Sequence, residues 1–397
     1  MTRALPVSRL TIWSLSIPMR RKFSHATAER GCAEPIVVAI ELSDGTVGYG
    51  ETHPRPYVTG ESLTSVLSTI RDDFVPRLVE IHPSSFGEAI EAAADLPMLD
   101  SEGRIACAAR AAVELALLDA YSRAFGKSLE QIAGWLEETA FGGPGSHGAV
   151  RYSGVIAATD PDRVPGTLRK MRLFGLRDFK IKVGDDDDDR RVRGAVRTLG
   201  RSLARGRTTL RLDANAAWTV EQAAQRLEHW RNLPITCVEQ PLAQCESEAI
   251  AELARRTAFP IMADESLVTP DQAEDLIVRR SVSWFNVRIS KNGGLIPALQ
   301  LAMTARRHNI ACQLGCMVGE TSILSAAGRW FLQLVPDIRF AEGGYGRFLL
   351  KDDVAIRPLG LGFGGRWKPM TGHGLGVTVD PKKLHKLSIT PPVEIPF

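Results

Sequence analysis

Two lysines, Lys180 and Lys182, lie two positions apart in a short apolar run between Arg177 and Gly184. The run is typical of a buried strand, whose period of two places both ammonium groups on the same side. Burying two like charges is costly unless anions lie nearby. Each charge favours the neutral form of the other, so one lysine could act as a base near neutral pH. An edge strand with two solvated lysines is the alternative that this run alone leaves open.

Three acidic residues, Asp213, Glu239 and Asp264, end three successive predicted strands at nearly equal spacing. If these strands belong to a closed barrel, the three carboxylates meet at one mouth and repel one another. A hard divalent cation with oxygen ligands removes that conflict, and Mg²⁺ fits best. Such an ion keeps positions open for a substrate carboxylate, acidifies the carbon α to it and stabilises the resulting enediolate. A lysine at the neighbouring strand end could remove the proton.

The elements that must position these residues alternate between strand and helix from residue 150 onward. Eight strands alternating with helices predict an α/β fold of the β/α-barrel type, with its site at the carboxyl ends of the strands. The strands are predicted at 151–157, 178–183, 209–213, 236–239, 260–263, 284–289, 311–314 and 338–341. Helices are predicted between them, at 219–232, 247–256, 270–279, 294–308 and 321–334.

Residues 9–145 are predicted to form a separate unit. It starts with a strand at 11–18, followed by a hairpin of strands 36–42 and 47–51 that an Asp-Gly turn closes. Helical patterns follow at 61–81, 85–94 and 105–124. Strands followed by helices indicate an α+β domain.

Two polar loops of this unit are candidates for lids. The loop 53–60 carries His53, Arg55 and Tyr57, and the loop 20–29 carries Arg21. They are either solvated surface loops or lids that supply specificity contacts to a substrate. The predicted site at the barrel mouth favours the second interpretation.

Composition limits the classes of partner. The 397 residues are 44% hydrophobic, and the net charge of +3 comes without a basic stripe, so we expect no nucleic-acid partner. No apolar run approaches the ~20 residues of a membrane span. The apolar segment 10–19 precedes its basic group, whereas a signal peptide has the basic group first, so a strand is predicted there. Six scattered cysteines suit reduced thiols and a cytoplasmic protein.

Several short motifs give the chain a family resemblance over nearly its whole length. They are Phe179-Lys180-Ile181-Lys182, Leu212-Asp213-Ala214-Asn215, Val238-Glu239-Gln240-Pro241, Ala263-Asp264-Glu265-Ser266, Lys291-Asn292-Gly293-Gly294, Gly48-Tyr49-Gly50-Glu51 and Thr59-Gly60-Glu61. With them the sequence resembles the enolase superfamily, specifically the muconate-lactonizing-enzyme subgroup of the mandelate racemase/muconate lactonizing enzyme family. Enolase-superfamily sites pair a Lys or His base with Mg²⁺.

The resemblance implies a modified TIM barrel, (β/α)₇β, with an N-terminal α+β capping domain. On this basis we expect the cap at residues 1–145, the barrel at 146–345 and a C-terminal segment returning to the cap at 346–397. Homo-oligomerisation is possible on the analogy of other large barrels.

The resemblance also implies roles for single residues. Asp213, Glu239 and Asp264 match the ligands of one Mg²⁺ ion, for which Mn²⁺ could substitute. Lys182 matches the catalytic base, and Lys180 matches the helper that depresses the pKa of that base. The implied activity is abstraction of a proton α to a carboxylate, leading to isomerisation of a small carboxylate of the cycloisomerase or epimerase type.

One departure from the subgroup concerns the end of the sixth strand. Where the subgroup carries a second lysine on the opposite face of the substrate, this chain has Arg288. Arginine is a poor base and a slow proton donor, so Arg288 is expected to act as an electrostatic clamp. Lys291 points the other way by strand parity unless the strand ends before it. One-base chemistry is therefore favoured: isomerisation, or syn-dehydration as in o-succinylbenzoate synthase.

A second departure lies at the eighth strand. Dipeptide epimerases resemble one another in an Asp-x-Asp motif that holds the substrate ammonium, whereas residues 340–344 here contain one carboxylate, Glu342. Glu320 could serve instead, or could lie at a helix N-terminus. Asn215 completes the candidate substrate-binding set. A barrel that binds an acidic metabolite without catalysis, with Arg288 marking the lost function, is the alternative from another class.

Overall fold

The computed structural model describes residues 4–25, 28–136, 150–157, 160–244 and 247–397, with residues 21–25 and 28–30 described by their backbone alone. The N-terminal strands are β1 Val7–Ser14, β2 Ile17–His25, β3 Ala28–Ala33, β4 Ile36–Leu42 and β5 Val47–Thr52. The barrel strands are β6 Gly154–Ile156, β7 Asp178–Lys182, β8 Thr209–Asp213, β9 Cys237–Glu239, β10 Ile261–Ala263, β11 Trp284–Val287, β12 Ala311–Leu314 and β13 Phe340–Ala341, and the chain ends with β14 Val393–Pro396.

Helices surround the barrel and complete the N-terminal domain. The N-terminal helices are α1 Pro56–Thr59, α2 Leu63–Thr69 and α3 Val75–Val79 on either side of a π-helical turn at Ile70–Phe74, α4 Phe86–Ala94, α5 Cys107–Ala124 and α6 Gln131–Trp135. The barrel helices are α7 Arg163–Leu173, α8 Asp188–Ala204, α9 Val220–Trp230, α10 Ser247–Arg256, α11 Pro270–Val278, α12 Leu295–Arg307 and α13 Ser322–Leu334. The C-terminal segment holds α14 Gly346–Leu349, a 3₁₀ turn at Phe363–Gly365 and α15 Pro381–Leu387.

Strands β6 to β13 form one parallel sheet in sequential order. A parallel bridge between Tyr152 and Ala341 joins its two edges, where the Ser153 N–H donates to the Ala341 carbonyl at 2.8 Å. Seven helices connect the eight strands, so the predicted modified TIM barrel, (β/α)₇β, is confirmed. The carboxyl ends of β7 to β11 consequently face the same mouth.

The N-terminal domain is a four-stranded sheet, in the order β14-β1-β4-β5, covered by helices. Its outer strand comes from the end of the chain, because β14 pairs antiparallel with β1. On the other side β5 lies against α5, where Gly48 faces the backbone at Ala120 and Gly50 faces that at Ala112. Alanines on the helix and glycines on the strand allow the two backbones to approach closely.

Two sequence predictions for this region are corrected. The predicted loop 20–29 is an antiparallel hairpin of β2 and β3, with Ser24 opposite Glu29 in the register. The predicted first strand, 11–18, is two strands that break between Ser14 and Ile17. The sequence of this hairpin is largely polar, so it lacks the alternation of apolar residues that predicts a strand. The two strands form nevertheless because they pair with each other. In the described part of the chain, every helix is too short or too polar to cross a membrane.

Buried glutamates of the N-terminal domain hold the first turns of barrel helices. Glu51 accepts hydrogen bonds from the N–H groups of Thr321, at 2.8 Å, and Leu324, at 2.9 Å, at the start of α13. Glu114 accepts from Leu295 at 2.9 Å and Ile296 at 2.7 Å, at the start of α12. These N–H groups have no partner within their own helices, and a carboxylate also matches the positive end of the helix dipole. The contacts fix the N-terminal domain against the barrel.

The close contact of β5 with α5 predicts that Gly50→Ala is strongly destabilising. The new Cβ would overlap the Ala112 carbonyl oxygen, and neither backbone can move without breaking its own hydrogen bonds. We expect a loss of about 3 kcal/mol or more in the free energy of unfolding. Chemical denaturation measures it, with Gly87→Ala as the matched control, since the added Cβ at Gly87 comes no closer to a neighbouring atom than 3.9 Å. Equal stability of the two variants would contradict the assigned packing.

The position of Glu114 predicts a pH dependence of stability. Burial raises the pKa of Glu114 to about 7 from its ordinary value of 4.5. The folded state therefore holds this proton more tightly, and the contribution of Glu114 to stability is lost as the pH rises from about 4.5 to about 7. Glu114→Gln, which keeps an acceptor oxygen, should remove up to roughly 3 kcal/mol of that change. Denaturant titrations across this pH range test it. Exposed Glu130→Gln is the control and should follow the wild type; a Glu114→Gln profile parallel to wild type would refute the assignment.

Candidate active site

The two lysines of β7 meet the same carboxylate. Lys180 Nζ lies 3.1 Å from Asp213 Oδ2, and Lys182 Nζ lies 2.6 Å from the same atom. This confirms that both side chains project from one side of the strand, as its period of two predicts. Lys180 is buried, whereas the Lys182 side chain keeps 19% exposure toward the mouth. Of the two, Lys182 is the one that a substrate can reach.

Lys180 is a buried cation among anions. Its Nζ lies 3.0 Å from Glu239 Oε1 and 2.8 Å from Glu342 Oε2, in addition to Asp213. Burial opposes its charge, but the attraction of Glu239 and Glu342 outweighs burial and raises the pKa of Lys180 well above its usual value. Lys180 therefore remains protonated beside Lys182.

Asp213 is held ionised by its neighbours. Burial would raise its pKa, but the Lys182 and Lys180 ammonium groups overcome that effect and hold the pKa of Asp213 below its usual range. Its Oδ1 also accepts the backbone N–H of Asn215 at 3.1 Å. Asn215 can reach back in this way because it adopts the left-handed conformation, with φ at 44°. The turn thereby directs the Asn215 amide toward the mouth, where its Nδ2 donates to Glu265 Oε1 at 3.1 Å.

Asp264 lies between two cations on the other side of the mouth. Arg288 Nη2 contacts Asp264 Oδ2, and Lys291 Nζ lies 3.0 Å from Asp264 Oδ1. Strand β11 ends at Val287, two residues before the predicted end, so parity no longer holds for Lys291 and its side chain turns back to the site. Burial, reinforced by the Arg288 charge, lowers the pKa of Lys291 well below its usual value.

A polar cluster beneath the mouth holds Glu342 and Glu239. Arg211, fully buried, donates to Glu342 at 3.0 Å and also contacts Gln313. Glu239 accepts from Asn286 Nδ2 at 2.8 Å and from Gln313 Nε2 at 3.3 Å. Burial would raise the pKa of Glu342, yet Lys180 and Arg211 lower it. Glu342 is thus occupied by two cations of the chain itself, which argues against a role in holding a substrate ammonium.

A cavity of about 410 Å³ opens over this cluster. The predicted site residues that line it are Lys180, Lys182, Asn215, Arg288, Glu342, Arg55 and Tyr57. The metal-ligand candidates Asp213, Glu239 and Asp264 lie buried behind this surface. A second part of the cavity is apolar and is lined by side chains of α7 and α14, among them Met171, Phe174 and Leu349.

The remaining predicted residues are placed differently. His53 is buried away from the cavity lining, with its Nε2 3.0 Å from Glu51 Oε1. Glu320 also lies outside the lining; its Oε1 accepts the Met317 N–H at 2.6 Å, and burial raises the pKa of Glu320 to about 8. The side chain of Arg21 lies outside the described residues. Three residues of the loop 53–60 line the cavity: Arg55, Tyr57 and Val58.

Cationic side chains separate the three candidate metal ligands. Lys180 lies between Asp213 and Glu239, and Arg288 reaches both Glu239, at 3.8 Å, and Asp264. Among the described residues, no three His, Cys, Asp or Glu side chains converge closely enough for one ion. The donors are nevertheless all carboxylate oxygens, and Arg288 is the cation in contact with Asp264 Oδ2. This donor set fits a hard divalent cation once Arg288 withdraws from Asp264.

Sequence reasoning missed several members of this site. Arg211 lies two positions before Asp213 on β8, so its side chain shares the face of that carboxylate, and the period of two could have revealed it. Lys291 belongs to a quoted motif, and the sequence places it at the site only if the sixth barrel strand ends before it, as β11 does at Val287. The sequence does not mark Asn286 and Gln313 as site residues, because a neutral polar residue inside an apolar strand does not indicate which residues it binds.

The comparisons with known proteins agree with this architecture. One family model, the mandelate racemase / muconate lactonizing enzyme N-terminal domain, matches residues 10–134. A second, the enolase C-terminal domain-like model, matches residues 166–383. The fold is that of the enolase superfamily. The chain belongs to its mandelate racemase / muconate lactonizing enzyme family.

Named relatives indicate the class of reaction. The N-succinyl-L-Arg/Lys racemase of Bacillus cereus is 28% identical over 329 residues, which cover 82% of this chain and 83% of the racemase. Muconate cycloisomerase 1-2 of Acinetobacter lwoffii is 29% identical over 384 residues, covering 94% of this chain and 93% of the relative. The relatives are racemases, epimerases and cycloisomerases, and this protein is an enolase-superfamily isomerase.

A solved structure shows the same fold. The dipeptide epimerase from Cytophaga hutchinsonii, complexed with Mg and the dipeptide D-Ala-L-Val, superposes with a TM-score of 0.83. The match covers 98% of this chain and 100% of that one at 21% identity.

Proposed function

We propose that this protein catalyses an Mg²⁺-dependent isomerisation that begins with removal of the proton α to the carboxylate of a small-molecule substrate. Lys182 is the proposed base. The observation that supports it is the position of Lys182 Nζ, which lines the cavity and lies 2.6 Å from Asp213 beside the buried carboxylates. A base at a strand end of the barrel mouth meets the geometric requirement for general base catalysis.

Lys180 assists Lys182 in this proposal. Its own charge is fixed by Glu239 and Glu342, so it presents a permanent positive charge next to the base. The proposed role of Lys180 is to keep this charge beside the base, as the family resemblance implies for the lysine two positions before it. Lys180 itself is buried, and three carboxylates hold its Nζ, so it does not compete for the substrate proton.

Asp213, Glu239 and Asp264 are the proposed ligands of one Mg²⁺ ion. When bound, the ion supplies positive charge that acidifies the α carbon and stabilises the enediolate. Arg288 lines the far side of the cavity, where its forked guanidinium suits a substrate oxyanion. An arginine guanidinium is a poor base, so the proposed role of Arg288 is a clamp and not a second base. Asn215, Arg55 and Tyr57 are the proposed specificity contacts.

A second candidate reaction, syn-dehydration, follows from the same observation about Arg288. Removing the proton and the leaving hydroxyl from one face needs only Lys182, and the opposite face offers no group that readily exchanges a proton. Isomerisation is the primary proposal because the named relatives are isomerases. Proton NMR in D₂O with dipeptides, N-acyl amino acids, muconates and sugar acids distinguishes the two by product. It also separates both from a barrel that only binds its ligand, which would show no α-proton exchange.

The proposed base predicts the effect of Lys182→Ala. Turnover and α-proton exchange should fall at least 100-fold, because a positioned general base contributes about that much or more. Folding and Mg²⁺ binding should be retained, as checked by circular dichroism and calorimetry. Lys170→Ala is the matched control, since Lys170 also lines the cavity but lies exposed on α7. Exchange within tenfold of wild type in Lys182→Ala would exclude the mechanism.

The contact between Arg288 and Asp264 predicts competition with the metal ion. Arg288→Met removes the cation in contact with Asp264 Oδ2 and leaves that oxygen free to bind Mg²⁺, while Lys291 still holds Oδ1. We expect Mg²⁺ to bind about tenfold more tightly, which corresponds to about 1.4 kcal/mol. Isothermal titration calorimetry measures this without any substrate, and exposed Arg339→Met serves as the control for loss of one positive charge. Unchanged or weaker Mg²⁺ binding in Arg288→Met would show that Asp264 is not a ligand.

A further inference from the structure

The end of the barrel opposite the active site contains a second cavity of about 570 Å³. Its walls come from the segments that precede β6, β7 and β8, from the C-terminal ends of α7 and α8, and from the turn at Phe363–Gly365. These are the amino ends of the strands, whereas the active site lies at their carboxyl ends. The cavity is therefore separate from the site of the proposed reaction, although Leu176 lines both.

Five arginines line this cavity: Arg151, Arg172, Arg177, Arg207 and Arg366. No Asp or Glu in the described chain is part of the lining, and none of the five forms an ion pair with a described residue. The C-terminal ends of α7 and α8 contribute about half a negative charge each, which offsets one of the five guanidinium charges. About four positive charges thus face one cavity without a counterion from the described residues.

A buried hydroxyl provides independent support for a ligand. Thr208 lines the same cavity and is 5% exposed, yet its Oγ1 has no hydrogen-bond partner among the described residues. A buried polar atom without a partner costs free energy, and native structures contain few of them. A ligand oxygen in the cavity would satisfy this hydroxyl.

We propose that this cavity binds a small oligophosphate anion, such as the di- or triphosphate group of a metabolite. Guanidinium groups bind phosphoryl oxygens through two parallel hydrogen bonds, and several of them around one cavity can hold adjacent phosphoryl groups. Three to four negative charges on the ligand match the net charge of the lining. The volume lies within the range of ordinary small-molecule sites.

Calorimetric titration of the full chain with tripolyphosphate tests the site. The buffer contains 0.15 M salt to screen distant charges and a chelator, so that no divalent ion can bring phosphate to the barrel mouth. Wild type should bind one equivalent. Arg207→Gln and Arg366→Gln should each weaken binding about tenfold, the value of a charge-assisted hydrogen bond, and Thr208→Val should weaken it several-fold. Melting curves confirm that each variant folds.

Arg201→Gln is the matched control, because Arg201 is exposed on the last turn of α8 but lies outside the cavity lining. It should bind tripolyphosphate as wild type does. Absence of binding by wild type at millimolar concentration overturns the proposal. So does an equal loss in Arg201→Gln, which would indicate a diffuse surface attraction, or wild-type affinity in both Arg207→Gln and Arg366→Gln. Citrate binding as tight as that of tripolyphosphate overturns the phosphate assignment.

Discussion

Alternation of opposite charges at the barrel mouth is the interaction on which the rest of the structure depends. Lys180 lies within 3.1 Å of Asp213, Glu239 and Glu342, and it is 2% exposed. Removing the positive charges alone, or the negative charges alone, would leave unpaired buried ions whose desolvation costs several kcal/mol each. The strands therefore have to end at matching heights, because a shift in register would separate the charges. Residue pairs Lys182–Asp213 and Asp213–Glu239 are direct neighbours in the β7–β8 and β8–β9 registers.

The N-terminal domain is fixed to this barrel by a related device. Glu51 and Glu114 place carboxylates at the first turns of α13 and α12, where the backbone N–H groups have no partner within the helix. Glu61 does the same within the domain, for the N–H groups of Ala108 and Ala109. The loop that carries Arg55 and Tyr57 lies between Glu51 and Glu61, so both of its ends are anchored. This anchoring holds the two side chains at the cavity without a large apolar interface of their own.

The sequence predicts those parts of the site that depend on local periodicity. The direction of Lys180 and Lys182 follows from a five-residue strand, and the carboxylates follow from their place at strand ends. The period of two places Arg211 on the face of Asp213, but it does not pair Arg211 with Glu342 and Gln313, which lie far from it in sequence and meet it only when the barrel closes. The predicted position of the Lys291 side chain depended on where β11 ends. The boundaries of an element are what a sequence pattern predicts least reliably.

The two sides of the mouth differ in a way that constrains the proposed chemistry. One side offers Lys182, the proposed base, whereas the other side offers Arg288, and arginine is a poor base and a slow proton donor. A proton removed by Lys182 must then return from the same face, or the C–O bond on the neighbouring carbon must break, with its oxygen leaving as a carbon–carbon double bond forms. Inversion at the α carbon would require a second donor, and the buried Lys291 cannot supply it while Asp264 and two backbone carbonyls hold its Nζ. Cycloisomerisation satisfies the constraint with the groups that line the cavity.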